Sequence, residues 1–247
     1  MIINHPQQEN IPALRQLWQK TFGDTDAFLD GFFTTAFHPE RSLCVTEDDR
    51  VLGAVYWFDC LWADKKVAYI YALAVKESCR GQKLGVRLME EARRVLAEQG
   101  YQGICLVPGE DWLFVWYEKL GYRPFGFSRK DCIAAEMPAV PVTEVLAEDY
   151  CGERNRILGA SAVLQNPECF PFLESFCRFW AGRDYLLCGA LEDGVLYLQE
   201  YLGACKNLPG IAAALGAEKA IFSQMTAMYL SLDGDTALPN YFGIPMN

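Results

Sequence analysis

The stretch "YALAVKESCRGQKLGVRLMEEARRVLAEQG", Tyr71–Gly100, decides the fold of this chain. It opens inside an apolar run that begins at Lys66, and neither face of this run is polar, which is typical of a central strand covered on both sides. The run breaks before "RGQKLG", Arg80–Gly85, and apolar residues then recur at helical spacing from Val86 until Gly100, where a helix can end. A buried strand that passes through a glycine-containing loop directly into an amphipathic helix predicts a mixed α/β fold.

The segments on either side of this stretch fit the same fold class. Apolar residues at helical spacing predict two N-terminal helices, the first between Asn10 and Gly23 and the second beginning at Asp24. Three strand-like runs then predict a meander: Ser42–Thr46, Val51–Asp59 and Lys66–Val75. After Gly100 the sequence predicts a buried strand, a short helix and a further strand: "GICLVPG", Asp111–Leu120 and "YRPFGFS".

The chain divides at "MPAVPVT", residues 137–143, because two prolines without a helical pattern are typical of a linker. We therefore expect a first domain over residues 1–136 and a second over residues 144–247. The second half repeats the outline of the first, with a hairpin that turns at Asp193-Gly194. Its predicted helices are Glu144–Gly159, Glu168–Ala181 and Asn207–Leu215, and its last predicted strands are Glu218–Met225, Met228–Asp233 and Asn240–Met246.

Composition and charge exclude several classes of function. Hydrophobic residues make up 51% of the 247 residues and charged residues 22%, which is typical of a folded globular protein. The net charge of −10 repels nucleic acid and anionic membranes, so we expect neither as a partner. The N-terminal sequence lacks the basic start and the apolar run of a signal peptide, and we expect a cytoplasmic protein.

The cysteines and histidines do not form a metal-binding pattern. The ten cysteines are scattered singly without a C-x-x-C pair, and several lie inside apolar runs, which predicts buried free thiols. The two histidines, His5 and His38, lie apart from any cluster of cysteines or carboxylates. We therefore expect no structural or catalytic metal.

The loop over Arg80–Gly85 has the chemistry of an anion site. A strand that ends in a loop before a helix exposes unpaired backbone N–H groups at the positive end of the helix dipole. Such a loop suits a pyrophosphate, and Arg80 and Lys83 add positive charge to an otherwise acidic chain. The order of residues matches neither a Walker loop nor the first turn of a Rossmann unit. The other interpretation is that Gly81 and Gly85 only serve a tight turn.

Two motifs that occur in the expected order and spacing indicate a family resemblance. The segment "YALAVKESCRGQKLGVRLMEEA" resembles the cofactor-binding segment of the GNAT superfamily of acyl-CoA N-acyltransferases, whose pattern is R/Q-x-x-G-x-G/A at a strand-to-helix turn. The segment "LFVWYEKLGYRPF" resembles the later Y-x-x-x-G-F/Y segment of the same superfamily. The resemblance covers about residues 1–130. It implies a mostly antiparallel central sheet flanked by helices, with a second, degenerate GNAT-like domain of the tandem bacterial type behind it.

The resemblance also implies how acetyl-CoA, the co-substrate, is held. The backbone of Leu73, Ala74 and Val75 would pair with the pantetheine arm. The pyrophosphate would be held by the residues that follow: Arg80, Gly81, Gln82, Lys83, Leu84, Gly85 and Val86. The sequence departs from the pattern at Lys83, which occupies the place of the middle glycine. This departure leaves the backbone N–H available but puts a long side chain beside the phosphates.

The sequence identifies the catalytic residues less clearly than the residues that hold acetyl-CoA. Tyr117 matches the superfamily tyrosine near the thioester sulfur, where a neutral phenol can protonate the departing thiolate. It also shares a helical stripe with Leu113 and Leu120, so it can equally be a core aromatic. Glu110 is a candidate for the base that deprotonates the amine, and it can equally be a helix cap. The resemblance to tandem members adds the C-terminal carboxylate of Asn247 as a further candidate.

We therefore expect an N-acetyltransferase that moves an acetyl group from acetyl-CoA to a primary amine by direct attack in a ternary complex. The acceptor would be a small molecule or peptide, and the acidic net charge favours a cationic one. The alternative is a non-catalytic acyl-CoA-binding or regulatory module, or a purely structural tandem fold. The sequence predicts no oligomeric state.

Overall fold

The computed structural model describes residues 1–246, which form two compact units. Unit 1 comprises Met1–Pro124 and Met228–Leu238, and unit 2 comprises Phe125–Ala227 and the residues after Leu238. Each unit combines helices with a mixed, mostly antiparallel sheet, which confirms the predicted fold class. The units are described separately below.

The helices and strands are numbered along the chain, with α for helices and β for strands. Those up to residue 125 are β1 (Ile2–Asn4), α1 (Ile11–Phe22), α2 (Asp26–Thr35), β2 (Ser42–Glu47), β3 (Arg50–Trp62), β4 (Lys65–Val75), α3 (Leu84–Glu98), β5 (Gly103–Leu106), α4 (Asp111–Glu118) and β6 (Arg123–Phe125). Those that follow are β7 (Arg129–Ala134), β8 (Thr143–Glu144), α5 (Ala147–Leu158), β9 (Ala162–Gln165), α6 (Phe170–Glu174), β10 (Arg178–Gly182), β11 (Tyr185–Glu192), β12 (Val195–Leu202), α7 (Leu208–Ala214), β13 (Lys219–Gln224), β14 (Ala227–Ser231) and β15 (Tyr241–Phe242).

The sheet of unit 1 runs in the order β1-β2-β3-β4-β5-β14-β6. Strands β1 to β4 are antiparallel neighbours, whereas β4 and β5 are parallel and are joined by the crossover helix α3. Pairing between β4 and β5 covers Val67–Ile70 and stops there, although β4 continues to Val75. The two strands therefore separate at their carboxyl ends, which is where ligands bind in sheets with parallel pairs.

The core of unit 1 is built on the helix that the opening stretch of sequence predicts. Helix α3 buries five side chains against the sheet: Leu84, Leu88, Met89, Ala92 and Leu96. Each large side chain of this kind stabilises the fold by roughly 1.5–3 kcal/mol when fully buried. This packing fixes the first turn of α3, and with it the preceding loop, against the end of β4.

Strand β14 completes the sheet of unit 1 from the C-terminal part of the chain. It is antiparallel to β5, and its buried residues Met228 and Leu230 belong to the apolar core that contains α3. The sequence predicts a strand at Met228–Asp233, and the strand exists, but its apolar pattern carries no information about which sheet it joins. The compact units therefore do not follow the sequence-based division into residues 1–136 and 144–247.

The sheet of unit 2 runs in the order β7-β13-β12-β11-β10-β8. The predicted hairpin at Asp193-Gly194 is confirmed, since it joins the antiparallel strands β11 and β12. Strands β12 and β13 are the parallel pair of this sheet, joined by α7. Strand β15 lies parallel to β9.

Two predicted elements of unit 2 are wrong. The helix expected over Glu168–Ala181 is limited to α6, and the residues from Arg178 onward form β10, where Phe179 pairs with Cys188. A short aromatic run fits a buried helix and a buried strand equally well, and here pairing with β11 decides. The strand expected over Asn240–Met246 is limited to β15, because the backbone carbonyls of Gly243 and Ile244 are bound by the amide of Gln165 instead.

The segment 137–143 is bound closely to unit 2. The N–H of Val140 donates to the carbonyl of Gly210 at 3.0 Å, and the hydroxyl of Tyr185 donates to the carbonyl of Pro141. A Cβ atom at Gly210 would lie 2.4 Å from Cγ2 of Val140, so a glycine is required at this contact. The segment is therefore a packed part of unit 2 and lacks the freedom of a flexible linker.

Unit 2 contains a buried ionic network. The guanidinium of Arg154 donates from Nε to Oε2 of Glu200 at 2.6 Å and from Nη2 to Oε1 at 3.1 Å, and both side chains are 0% exposed. The hydroxyls of Tyr150 and Tyr241 also donate to this carboxylate, at 2.7 and 3.1 Å. Four donors therefore converge on one carboxylate, as a buried charge requires.

None of the helices in residues 1–246 combines the length and apolarity that crossing a membrane would take. No group of three or more His, Cys, Asp or Glu side chains in this range is arranged to hold a metal ion.

Candidate functional site

The candidate site of unit 1 is a cleft of about 570 Å³ at the point where β4 and β5 separate. Side chains alternate along β4, so Leu73 and Val75 line the cleft, whereas Ala74 is 1% exposed and faces the opposite side of the sheet. The structure thus brings two of the three predicted pantetheine-binding residues to the cleft through both side chain and backbone. Ala74 can contribute only its backbone.

The loop between β4 and α3 forms the second wall of the cleft. The chain takes a 3-10 turn at Glu77–Cys79 and then adopts left-handed backbone at Gly81 (φ 76°) and Lys83 (φ 61°). The first helical hydrogen bond of α3 runs from the N–H of Arg87 to the carbonyl of Lys83. Within residues 1–246, the N–H groups of residues 81–86 have no backbone acceptor. They form a concentration of free donors at the positive end of α3, which suits an anion.

The structure shows what the departure from the family pattern at Lys83 means for its backbone and its side chain. Its left-handed φ of 61° is a conformation that favours glycine, the residue that the pattern places there. A lysine held in this conformation carries a backbone cost of about 1–2 kcal/mol. The exposed Lys83 lines the cleft, so its ammonium adds positive charge beside the free N–H groups.

Most of the predicted pyrophosphate-binding residues line the cleft: Arg80, Gly81, Lys83, Leu84, Gly85 and Val86. Gln82 does not, because its amide turns back to the carbonyl of Ser78 at 3.3 Å. The Nε of Arg80 donates to the carbonyl of Val75 at 3.3 Å. This contact bridges the strand end and the loop, and it engages one of the backbone carbonyls that the resemblance assigns to the pantetheine arm.

Helix α4 supplies the third wall, with two tryptophans that the sequence analysis does not assign to the site. Trp112 is 60% exposed, and its Nε1 donates to Oε2 of Glu110 at 2.8 Å. Trp116 lies one turn further along the same face and lines the cleft beside Gly85. The spacing of the two residues on one helix face is the only signal in the sequence, and it does not distinguish an exposed indole from a core one.

Tyr117 lies in the core next to the cleft and does not line it. Its side chain is 6% exposed, with ring centroids 4.7 Å from Trp116 and 5.5 Å from Tyr122. Burial raises the pKa of Tyr117 well above its usual value, so the phenol stays protonated at neutral pH. Within residues 1–246 its hydroxyl has no hydrogen-bond partner.

Of the two candidate bases, the structure describes Glu110. Glu110 is an exposed residue of the cleft at the N-cap of α4, with extended backbone, and its carboxylate is free to accept bonds other than the one from Trp112. It does not cap the helix through its side chain. Asn247 lies outside the described residues.

This chain resembles a known family in sequence and known structures in fold. Residues 11–122 match the model of the acetyltransferase (GNAT) family. No curated protein matches the sequence. Among solved structures, a GCN5-related N-acetyltransferase from Kribbella flavida is similar with a TM-score of 0.71 and 17% identity, over 94% of this chain and 72% of that one.

Two further structures are similar over nearly the whole chain. Eis1 from Mycobacterium abscessus aligns with a TM-score of 0.68 and 12% identity, over 94% of this chain and 74% of its own. A putative acetyltransferase from Pyrococcus horikoshii aligns with a TM-score of 0.67 and 14% identity, over 98% and 93% of the respective chains. At these identities the similarity shows a shared fold, and it extends over both halves of the chain.

Proposed function

We propose that this chain, whose residues 11–122 match the model of the acetyltransferase (GNAT) family, transfers an acetyl group from acetyl-CoA to a primary amine by direct attack in a ternary complex. One observation carries the proposal. The free N–H groups of residues 81–86, with Arg80 and Lys83 beside them, line a cleft that continues along the end of β4. This arrangement combines an anion site with an extended strand edge.

The cleft fits an acyl-CoA in shape and charge. The diphosphate would meet the N–H groups at the start of α3, where the helix dipole and two cations favour negative charge. The pantetheine arm would run along the backbone of Leu73–Val75, between the apolar side chains of β4 and the indoles of α4. Both parts of the ligand then have partners of matching chemistry within one cleft.

The chemical step needs one acid and one base. The amine nitrogen attacks the carbonyl carbon of the thioester, the carbon–sulfur bond breaks, and its electron pair leaves on sulfur. Tyr117, protonated because it is buried, donates its proton to the thiolate. The amine loses a proton to a carboxylate, and we assign this role to Glu110 because it is the carboxylate that lines the cleft. The C-terminal carboxylate of Asn247 is the competing assignment.

The proposal is tested by release of CoA from acetyl-CoA in the presence of primary amines. Tyr117→Phe should lower kcat about a hundredfold or more, the effect of losing a positioned proton donor. Acetyl-CoA should still raise the melting temperature of the variant as it does for the wild type. Tyr122→Phe is the matched control, because this neighbouring tyrosine is also buried and its hydroxyl has no partner within residues 1–246.

Two outcomes would contradict the proposal in different ways. Equal kcat values for Tyr117→Phe and the wild type would show that Tyr117 is a core aromatic and not the proton donor. Stabilisation by acetyl-CoA without CoA release on any amine would favour the non-catalytic binding module.

We further propose that the acceptor is cationic, on the strength of the net charge of −10. A panel of amines assayed by CoA release should favour polyamines, aminoglycosides or basic peptides over anionic amino acids. Long-range attraction is screened by salt, so kcat/KM for the cationic acceptors should fall when ionic strength is raised. A preference for an acidic amine, or no dependence on salt, would show that local contacts in the cleft decide specificity.

A further inference from the structure

Unit 2 contains a cavity of about 860 Å³, which is larger than the cleft of unit 1. It lies at the end of the parallel strand pair of unit 2. Pairing between β12 and β13 covers Val195–Leu198 and Lys219–Phe222, and β12 then continues to Leu202 without β13. The cavity opens at this separation, between Tyr201 on one strand and Gln224 on the other. It therefore occupies the position, relative to its own sheet, that the cleft occupies in unit 1.

The tyrosines of the cavity offer aromatic surface rather than polar atoms, because their hydroxyls are already engaged. The hydroxyl of Tyr185 donates to the carbonyl of Pro141, and the hydroxyl of Tyr201 donates to the carbonyl of Ala204 at 2.7 Å. The hydroxyl of Tyr241 donates to the buried carboxylate of Glu200. Together with Phe222, these residues offer aromatic surface to a ligand and no free hydroxyl.

The charged residues of the cavity include one guanidinium without a partner among residues 1–246. Three arginines and two carboxylates line it: Arg129, Arg156, Arg183, Glu153 and Asp184. Two of the arginines are paired, Arg156 with Glu153 at 2.7 Å and Arg129 with Asp131. Arg183, in the turn between β10 and β11, has no ion-pair or hydrogen-bond partner within residues 1–246. A free guanidinium at the mouth of an aromatic cavity is a partner for one anionic group.

We propose that unit 2 holds a second ligand site for a small amphipathic anion. The apolar or aromatic body of the ligand fills the cavity, and its single carboxylate, sulfonate or phosphate meets Arg183. This site differs from the cleft of unit 1, because β12 leads through a 3-10 turn into the seven-residue helix α7 and provides no glycine loop with two left-handed residues. The proposal does not depend on the acetyl-transfer activity of unit 1.

A pair of fluorescent probes tests the proposal on the full chain. 8-Anilinonaphthalene-1-sulfonate carries an aromatic body and one anionic group, and N-phenyl-1-naphthylamine is the same body without the charge. Both are titrated first without CoA and then with CoA in excess, so that any probe bound in the cleft of unit 1 is displaced by CoA. The sulfonate probe should bind at one site per chain, and Arg183→Ala should weaken its binding about tenfold or more, since a charge-assisted hydrogen bond is lost.

The controls separate a specific contact from general attraction. Lys130→Ala removes the same charge from β7, where alternation places Lys130 on the face opposite to Arg129, and it should leave the affinity of the sulfonate probe unchanged. The neutral probe should bind Arg183→Ala and wild type equally well. Asp184→Asn should strengthen binding of the sulfonate probe, because it removes a negative charge from the lining.

Several results would overturn the proposal. The first is displacement of the sulfonate probe by CoA, which would assign it to the cleft of unit 1. The second is an equal effect of Arg183→Ala and Lys130→Ala, and the third is tighter binding of a cationic naphthyl probe than of the sulfonate. Failure of CoA release in unit 1 leaves all these measurements interpretable, because they read binding to unit 2 alone.

Discussion

The cleft of unit 1 and the cavity of unit 2, two openings at the ends of parallel strand pairs, have the same origin and different chemistry. In each unit an antiparallel meander leads into one parallel strand pair that separates beyond four paired residues. In unit 1 the longer strand continues through Arg80–Gly85 into the 15-residue helix α3, whose free N–H groups suit a diphosphate. In unit 2 it continues into the short helix α7. The fold makes the opening, and the residues that follow the strand decide which ligand fits.

The cores of the two units also differ. Among residues 1–246, the buried polar or charged side chains of unit 1 are limited to Ser42, whereas unit 2 buries Arg154, Gln165 and Glu200. Apolar packing tolerates small changes, but a buried charge that loses its partner remains uncompensated. We therefore expect unit 2 to respond much more sharply than unit 1 to the loss of one polar side chain.

The largest effect should be a loss of CoA binding in unit 1. Gly81→Asp places a carboxylate at the loop that faces the diphosphate. A Cβ atom at Gly81 would meet nothing within 4 Å, so no neighbouring atom obstructs the side chain, and the left-handed φ of 76° adds a backbone strain that a matched variant can share. Calorimetric titration should show the affinity for CoA reduced a hundredfold or more, since like charges repel in a partly desolvated cleft.

Gly81→Asn is the matched variant for this experiment. It imposes the same left-handed φ of 76° on a side chain of the same size, without the charge. It should retain most of the affinity for CoA. If the two variants bind CoA equally well, the loop is not the diphosphate site. The loop would then not explain why the cleft of unit 1 and the cavity of unit 2 take different ligands.

The next effect concerns the stability of unit 2. Arg154→Met leaves the carboxylate of Glu200 buried with its tyrosine partners alone, and breaking a buried ion pair in this way costs about 3–5 kcal/mol. Arg156→Met on the same helix removes an exposed pair with Glu153, which should cost less than about 1 kcal/mol. Urea unfolding measures both. Equal costs would show that the network around Glu200 does not hold unit 2 together.

The sequence predicts the parts of this architecture that are local. The change from a strand at Tyr71–Val75 to a helix after Gly85 is visible because hydrophobic spacing changes within one short stretch. The hairpin at Asp193-Gly194 is equally local, since both residues adopt the left-handed backbone that such a turn requires (φ 46° and 74°). The six lining residues of the loop follow from the same stretch.

Features that depend on residues far apart in the chain cannot be predicted from one short stretch of sequence. The partners Arg154 and Glu200 are 46 positions apart, and nothing in the sequence around either one distinguishes a buried charge from a solvated one. The strand at Met228–Ser231 joins unit 1 because its apolar residues fill that core, a choice that its own alternation cannot reveal. The cavity of unit 2 depends on six separate segments, so the degenerate second half appears in the sequence only as a copy without the loop.

The smallest expected effect lies at the segment that completes the sheet of unit 1. The ammonium of Lys65 is 2.8 Å from Asp233 and 2.6 Å from Asp235, both in the segment that follows β14. Hydrogen bonding to Lys65 is the main cause that holds the pKa of Asp233 below its ordinary value. A lowered pKa in the folded state stabilises the fold above the unfolded value of about 3.9, and this stability is lost as pH falls further.

Lys65→Met should therefore lower the melting temperature at pH 7 by a degree or so, about the effect of an exposed ion pair worth less than 1 kcal/mol, and the difference from wild type should shrink as pH falls below about 4. Lys66→Met removes the same charge from the next residue, whose ammonium lies over the ring of Tyr101, and its difference from wild type should stay constant over this pH range. A pH-independent difference for Lys65→Met would show that the aspartates do not hold the segment in place. Apolar contacts alone would then hold β14 in the sheet of unit 1, and stabilisation by ion pairs and polar hydrogen bonds would be specific to unit 2.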